Sequence, residues 1–307
     1  MDVTSTDIDV TFSDVFPIQV SKVLLADITQ GELLGKFHSK FKNCVNGIFD
    51  NRSFFNICSD KVWINPRSIQ ITDDAWHTSG MSHINPGDRC GLVGHVLYIP
   101  ILSIRIDLGK APPWEAHLGC CSEDGSTDRM LRHFETMKLL HRNRRESIIY
   151  PLCFKETLKE RILCLKDAVT TGPESSIEKA ITSLVGFGPG LTPTGDDFLT
   201  GIMAILHMME KMGYPHRAGN RILNYIARSC LDKTTIFSEQ MLLDGASGHF
   251  AFPIAKLVKD LMTQDNEERL KSSVNDLLSA GASSGYDVLS GMLWAMDVFM
   301  ASLFKRG

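Results

Sequence analysis

Two adjacent carboxylates follow a run of glycine, proline and threonine residues in the segment 186–197, GFGPGLTPTGDD. Glycine permits backbone conformations and close approaches that other residues do not, while proline fixes φ near about −65°. This composition predicts a shaped, rigid loop. The loop leads into apolar residues with the spacing of one helix face, which are Phe198, Leu199, Ile202, Ile205, Leu206 and Met209. The sequence therefore predicts a stiff loop that feeds the N-terminus of a buried helix.

A second copy of this motif lies near the C-terminus. Residues 284–291 match residues 194–201 at a constant offset of 90, with the shared pattern [ST]-G-x-D-x-L-[ST]-G, and both copies open an apolar helix. Helix N-termini carry unpaired N–H groups and a dipole that favours anions. Two facing helix starts would form one anion-binding crevice, and the repeat suggests duplicated helix-loop-helix units in a pseudo-twofold arrangement.

Helix capping is the alternative interpretation of the repeat. In a capping box, Thr194 or Ser284 would cap its helix and Asp197 or Asp287 would reach back from three positions later. Capping explains neither the Gly-Pro-Gly run nor the additional Asp196. Both interpretations remain open at the level of sequence.

An anionic ligand, such as a phosphate or a carboxylate, would be bound by loop N–H groups and by hydroxyl groups. The loop lacks the Gly-Lys-[Ser/Thr] of a nucleotide-binding P-loop and does not fit a dinucleotide fingerprint. Gly195 and Gly285 are expected to let a ligand or the opposing helix approach the backbone. The candidate anion-binding residues are Gly188, Gly190, Thr192, Thr194, Gly195, Asp197, Ser283, Ser284, Gly285 and Asp287.

Asp196 and Asp197 would repel an anion, so they need a separate explanation. They could brace the loop, bind a divalent cation that bridges to phosphate, or accept hydrogen bonds from ureido N–H groups. We favour Asp196 as a ligand-facing catalytic residue and Asp197 as structural, with Asp287 sharing the structural role. His249 is the candidate general base, because histidine titrates near neutral pH. The histidine spacing predicts no zinc site, and no resident cofactor is expected.

The string GFGPGLTPTGDDFLTG resembles the signature of a bacterial domain-of-unknown-function family typified by the AllH subunit of oxamate carbamoyltransferase. The resemblance continues through 244–253 and 277–287 and spans about 177 to 300. It implies a subunit of a transferase that, in allantoin catabolism and hence purine degradation, moves a carbamoyl group from oxalurate to phosphate. It also implies partner subunits or a homo-oligomer. The alternative is a non-catalytic subunit that recognises a small carboxylate or a partner protein.

Composition narrows the classes of function. The chain has 307 residues, 43% of them hydrophobic, and a formal net charge of −4, which removes the global electrostatic reason to bind nucleic acid or an anionic membrane. Its longest apolar run, 96–101, is far shorter than the about 20 residues that span a bilayer. The first fourteen residues hold four aspartates and no basic residue, and the eight cysteines show no C-x-x-C spacing. A cytoplasmic protein with free thiols is predicted.

The chain divides into two halves by its hydrophobic period. Short β-like segments predict an N-terminal antiparallel sheet or small barrel in 1–112, and helical periods predict a helical domain in 113–307 that carries the repeated loop-helix motif. The fold class is therefore α+β. Strands are predicted at 23–28, 33–38, 42–49, 54–58, 62–64, 68–71, 91–99 and 101–108. Besides the two repeated helices, helices are predicted at 128–145, 176–185, 218–231, 253–262 and 267–279, the first of them with a basic cluster.

Overall fold

The chain forms two compact units, Met1–Ala116 and His117–Gly307, each with its own hydrophobic core. The structure is a computed structural model that describes residues 11–28, 31–115, 117–118, 127–145, 148, 150–214, 216–263 and 266–300. The first unit is built on a sheet and the second is helical, which confirms the α+β class.

The first unit is a curled, mixed sheet that forms a half-barrel. Its strands are β1 (Ser13–Val15), β2 (Pro17–Ser21), β3 (Glu32–Phe41), β4 (Cys44–Phe49), β5 (Phe54–Ser59), β6 (Ser68–Ile71), β7 (Arg89–Val93), β8 (Val96–Ile99), β9 (Ile104–Asp107) and β10 (Pro113–Trp114). Their order is β1-β9-β8-β7-β3-β4-β5-β6-β2-β10. The sheet is mainly antiparallel, but β1 with β9, β5 with β6 and β10 with β2 pair in parallel.

The concave packing of this sheet depends on a glycine. Gly47 on β4 lies directly opposite Phe55 on β5, and a Cβ at this position would lie 2.1 Å from the Phe55 ring. Phe49 stacks on the same ring with the two centroids 4.5 Å apart. The missing side chain of Gly47 thus makes room for the aromatic core of the first unit.

The predicted strand at 23–28 is wrong, because this segment is the short helix α1 (Lys22–Asp27). The Ser21 side chain accepts a hydrogen bond from the Val23 N–H and caps the helix. Leu24 and Ile28 are both buried, and their spacing of four places them on one helix face. No strand forms at 62–64, and a second short helix, α2 (Asp73–Thr78), was not predicted.

The second unit contains the remaining helices. They are α3 (Thr127–Arg145), α4 (Leu152–Thr170), α5 (Glu174–Leu184), α6 (Thr194–Lys211), α7 (Gly219–Ser229), α8 (Ile236–Ala246), α9 (Phe252–Thr263), α10 (Glu267–Leu278) and α11 (Ser284–Phe299). Helix α6 is buried along nearly its whole length and forms the centre of the core. Among the described residues, no helix is long and apolar enough to cross a membrane.

Two helices of this unit were not predicted. Helix α4 buries only Leu165 and Ala168 completely, so its sequence shows little apolar periodicity. Helix α8 begins at Thr235, whose side chain accepts a hydrogen bond from the Ser238 N–H. The five other predicted helices are confirmed as α3, α5, α7, α9 and α10.

The two repeated helices, α6 and α11, cross where both carry a glycine. A Cβ at Gly201 would lie 2.0 Å from the carbonyl oxygen of Val288, and a Cβ at Gly291 would lie 1.9 Å from that of Phe198. Each contact maps onto the other at the offset of 90 residues. The crossing is therefore reciprocal, as expected for a pseudo-twofold relation between the copies.

The connection into each helix is also repeated. The N–H of Phe187 donates to Leu184 and the N–H of Gly195 donates to Phe187, while Ala280 and Gly285 repeat these bonds after α10. The path from Phe187 to Gly195 is three residues longer than the path from Ala280 to Gly285. The Gly-Pro-Gly run therefore belongs to an insertion within the first copy.

Candidate functional site

The start of α6 and the start of α11 meet in a group of hydroxyl and carboxyl side chains. The Thr192 and Ser284 hydroxyls are hydrogen-bonded at 2.8 Å, and the charges of Asp197 and Asp287 act on each other across the helix pair. The hydroxyl side chains are half-buried, except that of Thr194, which is buried like the two carboxylates. We call this group the polar cluster and define it as Thr192, Thr194, Asp197, Ser283, Ser284 and Asp287.

Each carboxylate in the polar cluster is influenced by one hydroxyl of its own copy and one of the opposite copy. Asp197 is stabilised by the Ser284 and Thr192 hydroxyls, whereas Asp287 is stabilised by the hydroxyls of Thr194 and Ser283. Two of these links, Asp197 to Ser284 and Asp287 to Thr194, are equivalent under the offset of 90 residues. The side chains thus tie the two helix starts together.

The capping-box interpretation is wrong. The N-cap residue of α6 is Pro193 and that of α11 is Ser283, and neither makes a side-chain cap hydrogen bond. Thr194 and Ser284 lie one position inside their helices. Proline has a fixed φ and no N–H group, and it favours an extended conformation of the residue before it. Pro193 therefore helps to define the start of α6 through its backbone, without a side-chain cap.

Asp197 is the least satisfied polar group in the cluster. Its side chain is 2% exposed, and within the described ranges its Oδ2 atom has no hydrogen-bond partner. Burial raises the pKa of Asp197 well above its ordinary value, and the charge of Asp287 raises it further against the opposing effect of the Ser284 and Thr192 hydroxyls. A buried polar atom without a partner is costly, so its presence points to a function.

Asp287 is held by a residue that the sequence analysis missed. The Tyr150 hydroxyl, just before α4, donates to Asp287 Oδ2 at 2.6 Å. Burial raises the pKa of Asp287 to about 6, while the Tyr150 hydroxyl opposes the shift because it stabilises the charged form. No motif around Tyr150 marks it, since its partner lies 137 residues away.

Replacing Tyr150 by phenylalanine is expected to raise the pKa of Asp287 above about 6, because the variant loses the donor to the carboxylate. The lost charge-assisted hydrogen bond should also lower stability at neutral pH by about 1.5–3 kcal/mol. Titration of the Asp287 carboxyl carbon by NMR measures the first effect. Tyr225→Phe, which removes a hydroxyl bonded to Glu174, is the matched control. An unchanged Asp287 titration in Tyr150→Phe would contradict the assignment.

Asp196 occupies a different environment from that of Asp197. It is fully buried, its Oδ1 accepts from the Gly186 N–H at 2.8 Å, and its Oδ2 accepts from the Thr234 hydroxyl. Burial raises the pKa of Asp196, and these two donors oppose the shift. The geometry therefore favours Asp196 as the residue that braces the loop and Asp197 as the residue that could bind a ligand. These two roles are the reverse of those that we favoured from sequence. A catalytic role of Asp196 stays a prediction.

The glycines of the motif serve mostly internal packing. A Cβ at Gly195 would lie 2.0 Å from the Leu184 carbonyl oxygen, and one at Gly285 would lie 1.8 Å from that of Leu277. The close approach at both positions thus comes from the preceding helix, α5 or α10, rather than from the opposing copy. The N–H groups of both glycines are already paired within the chain.

Two glycines of the loop adopt backbone angles that other residues avoid. Gly188 has φ of 128° and Gly190 has φ of 96°. A Cβ at Gly188 would lie 2.7 Å from the Thr194 nitrogen, whereas Gly190 faces open space. Gly188 therefore lies against the backbone nitrogen of Thr194, the first residue of α6. Roles of Gly188 and Gly190 in anion binding stay predictions.

His249 lies in a separate group of histidines. Its backbone forms an isolated bridge with His117, and the two rings are 5.5 Å apart. The neighbouring Gly248 approaches His207, which follows Asp197 by ten residues, or about 15 Å along α6. The fold therefore does not bring His249 to the polar cluster, and its role as a general base stays a prediction. Among the described residues, no group of three or more His, Cys, Asp or Glu could hold a metal ion.

The basic cluster on α3 borders a cavity of about 340 Å³ between α3 and α10. Its polar lining comes from Arg144, Asn143, Asn275 and Ser279. One turn earlier on α3, His141 bonds the Ser290 hydroxyl at 2.7 Å and stacks on Tyr286 of α11. This cavity is a second place where a small anion could bind.

Comparison with known families gives two matches in this chain. Residues 184–296 match the model of the oxamate carbamoyltransferase subunit AllH, and residues 16–113 match that of the AllH family N-terminal domain. The first match contains the whole polar cluster, and the second covers nearly the whole sheet. No solved structure matches the chain. The two models together account for more than two thirds of the sequence, and the chain belongs to the AllH family of oxamate carbamoyltransferase subunits.

Proposed function

We propose that this chain is the subunit of an oxamate carbamoyltransferase that binds the anionic carbamoyl substrate at the polar cluster. The family supports the reaction class and the need for partner subunits. The observation that carries the location is the unpaired Oδ2 atom of Asp197, buried where the two repeated helix starts meet. A bound ligand would supply the missing hydrogen-bond partner.

The reaction that we propose transfers the carbamoyl group from oxalurate to phosphate. A phosphate oxygen attacks the carbamoyl carbon, and the carbonyl oxygen becomes an oxyanion. The bond from that carbon to the amide nitrogen then breaks, and the nitrogen takes the proton that hydrogen phosphate loses. The products are carbamoyl phosphate and oxamate, with atoms and charge balanced. Such a reaction needs hydrogen-bond donors at the developing oxyanion.

The polar cluster offers groups suited to this requirement. The Thr192 and Ser284 hydroxyls are half-buried and can rotate between donating to Asp197 and donating outward. Tyr150 places a third hydroxyl beside Asp287. Because Ser284 begins α11 and is hydrogen-bonded to Thr192, just before α6, these hydroxyls are positioned before the ligand arrives.

A transfer assay with matched variants tests this proposal. The purified complex, reconstituted from this chain and its partner subunits, should form carbamoyl phosphate from oxalurate and phosphate, and omission of this chain should abolish the activity. Thr192→Val removes one hydroxyl while it keeps a side chain of similar shape. It should lower kcat/KM by about tenfold to a hundredfold. Thr157→Val, at an exposed hydroxyl on α4, should leave kcat/KM unchanged.

Two other outcomes would change the account. If the complete complex shows no turnover of oxalurate, the proposed reaction is wrong. If turnover requires the chain but Thr192→Val keeps wild-type kcat/KM, the chain is an assembly subunit, and the chemistry lies on a partner.

A further inference from the structure

Asp197 and Asp287 form a buried carboxylate pair that has no ion-pair partner in the part of the chain that the structure describes. Their side chains are 2% and 3% exposed, and within the described ranges neither forms an ion pair with a lysine, arginine or histidine. Two like charges in a poorly solvated site disfavour simultaneous ionisation, so such a pair tends to keep one proton.

Hydrogen bonding around Asp197 is consistent with a proton on this residue. An ionised carboxylate accepts bonds on both oxygens, and burying one with an unpaired oxygen is strongly unfavourable. The Ser284 and Thr192 hydroxyls favour the charged form of Asp197, yet within the described ranges its Oδ2 has no hydrogen-bond partner. By contrast, Asp287 Oδ2 accepts a hydrogen bond from the Tyr150 hydroxyl, and the Ser283 and Thr194 hydroxyls also favour its charged form.

We propose that the Asp197–Asp287 pair holds one proton and that Asp197, as a neutral acid, donates a hydrogen bond from Oδ2 to an oxygen atom of the bound anion. This proposal rests on the proposed function, because it takes the polar cluster as the substrate site. It resolves the conflict between an anionic ligand and two carboxylates. A neutral carboxylic acid in an apolar site is an effective donor to an oxyanion.

The ligand reaches Oδ2 through the hydroxyl pair of Thr192 and Ser284. These two side chains are half-buried and bond each other at 2.8 Å, and both hydroxyls act on the buried acid. Binding requires that this bond opens, after which both hydroxyls also become available to the ligand. The inferred site therefore presents one acid and two hydroxyls to one anion.

Other titratable groups face the pair from several elements. Asp287 comes from α11, Tyr150 from the segment before α4, and Asp196 from α6 itself, where it acts on Asp197 as a like charge. His141 of α3 contacts α11 further along, at Tyr286 and Ser290. Because His141 is a further ionisable side chain on this side of α11, the test must separate its effect from that of Asp197.

The test measures binding of oxamate to the reconstituted complex by calorimetry between about pH 5 and about pH 9. The oxamate carboxylate stays ionised across this range, so any change in affinity reports on the protein. Wild-type affinity should fall as the pH rises through the pKa of Asp197, by about tenfold per pH unit once the acid is ionised. His141→Gln should keep this dependence.

Substitutions at Asp197 then separate a proton donor from an acceptor. Asp197→Asn keeps a donor of the same shape that does not titrate, so its binding should stay within a few-fold of the wild type at low pH and should no longer change above about pH 7, where Asp287 is already ionised. Asp197→Ala should weaken binding by about tenfold or more. Asp297→Asn, at an exposed carboxylate on α11, the helix of Asp287, is the control and should behave as the wild type.

Each contrary result overturns a defined part of the account. Wild-type binding that does not change with pH, or Asp197→Asn binding as weak as that of Asp197→Ala, would overturn the donor role and leave the proposed function intact. If oxamate binds with unchanged affinity to Asp197→Ala, the anion lies elsewhere. Absence of oxamate binding at every pH would overturn both proposals.

Discussion

Gly201→Val is expected to destabilise the helical unit strongly. The new Cβ would lie 2.0 Å from the backbone carbonyl oxygen of Val288 and 2.7 Å from the Met292 nitrogen, and neither backbone atom can move without separating α6 from α11. Overpacking of this kind costs about 1–3 kcal/mol or more, and the loss of the glycine-mediated crossing adds to it. We expect the melting temperature to fall by at least about 10 °C, measured by calorimetry.

Gly219→Ala is the matched control for this prediction. Gly219 lies at the start of α7, and the nearest atom to its added Cβ is Leu206 Cδ2 at 3.7 Å, an ordinary contact. Because alanine favours helix more than glycine does, this variant should be as stable as the wild type or slightly more stable. A Gly201→Val protein with a melting temperature equal to that of Gly219→Ala would show that the two helices do not cross at this glycine.

Asp287→Asn is expected to stabilise the chain at neutral pH while it impairs the transferase. The pKa of Asp287 is raised from 3.8 to about 6 in the folded chain, so the folded state binds more protons than the unfolded state between these two values. Wild-type stability therefore decreases as the pH rises through this window. Above about pH 6 the full penalty, up to about 3 kcal/mol, is present.

Asparagine carries no charge to desolvate and still offers Tyr150 an oxygen acceptor. The stability difference between Asp287→Asn and the wild type should therefore be near zero at about pH 4 and reach about 2–3 kcal/mol in favour of the variant at about pH 8. Urea unfolding at the two pH values measures it. A difference that is the same at both values, or that favours the wild type at the higher pH, would contradict the burial of this carboxylate. Such a gain at a functional position is typical of the trade between stability and activity.

The repeat was the part of the fold that the sequence predicted best. Thr194–Gly201 and Ser284–Gly291 mark two helix starts, and the structure pairs the helices that follow through Gly201 and Gly291. Local features suffice here, because the apolar face and the preceding glycine and proline residues act within a few residues of the helix start. The same holds for the short strands of the first unit, where turn residues bound each apolar segment.

Errors arose where local and tertiary preferences differ. The β-branched and leucine-rich segment 23–28 resembles a strand, yet the Ser21 cap and the core contacts of Leu24 and Ile28 make it a helix. Helix α4 escaped prediction because little of its surface is buried. A periodic pattern of apolar residues predicts a helix only when one face of that helix is buried against the rest of the protein.

The candidate site shows the same limit. Sequence spacing identified Asp197 and Asp287 as well as the hydroxyls of Thr192 and Ser284. In the capping-box interpretation, however, Asp197 would act only on the start of its own helix. The hydroxyls that act on Asp197 are that of Thr192, in its own copy, and that of Ser284, in the other copy about 90 residues away along the chain. Likewise, Tyr150 and the distance between His249 and Asp197 follow from tertiary packing, which no local pattern encodes.

The central claim is that the substrate binds where α6 and α11 begin. A crystal structure of the complex with oxamate tests it most directly. The account predicts oxamate within about 3 Å of Asp197 Oδ2 and of the Thr192 and Ser284 hydroxyls, with the hydroxyl pair separated. Oxamate bound instead beside His249, or in the cavity lined by Arg144, with the Thr192–Ser284 hydrogen bond intact, would contradict it.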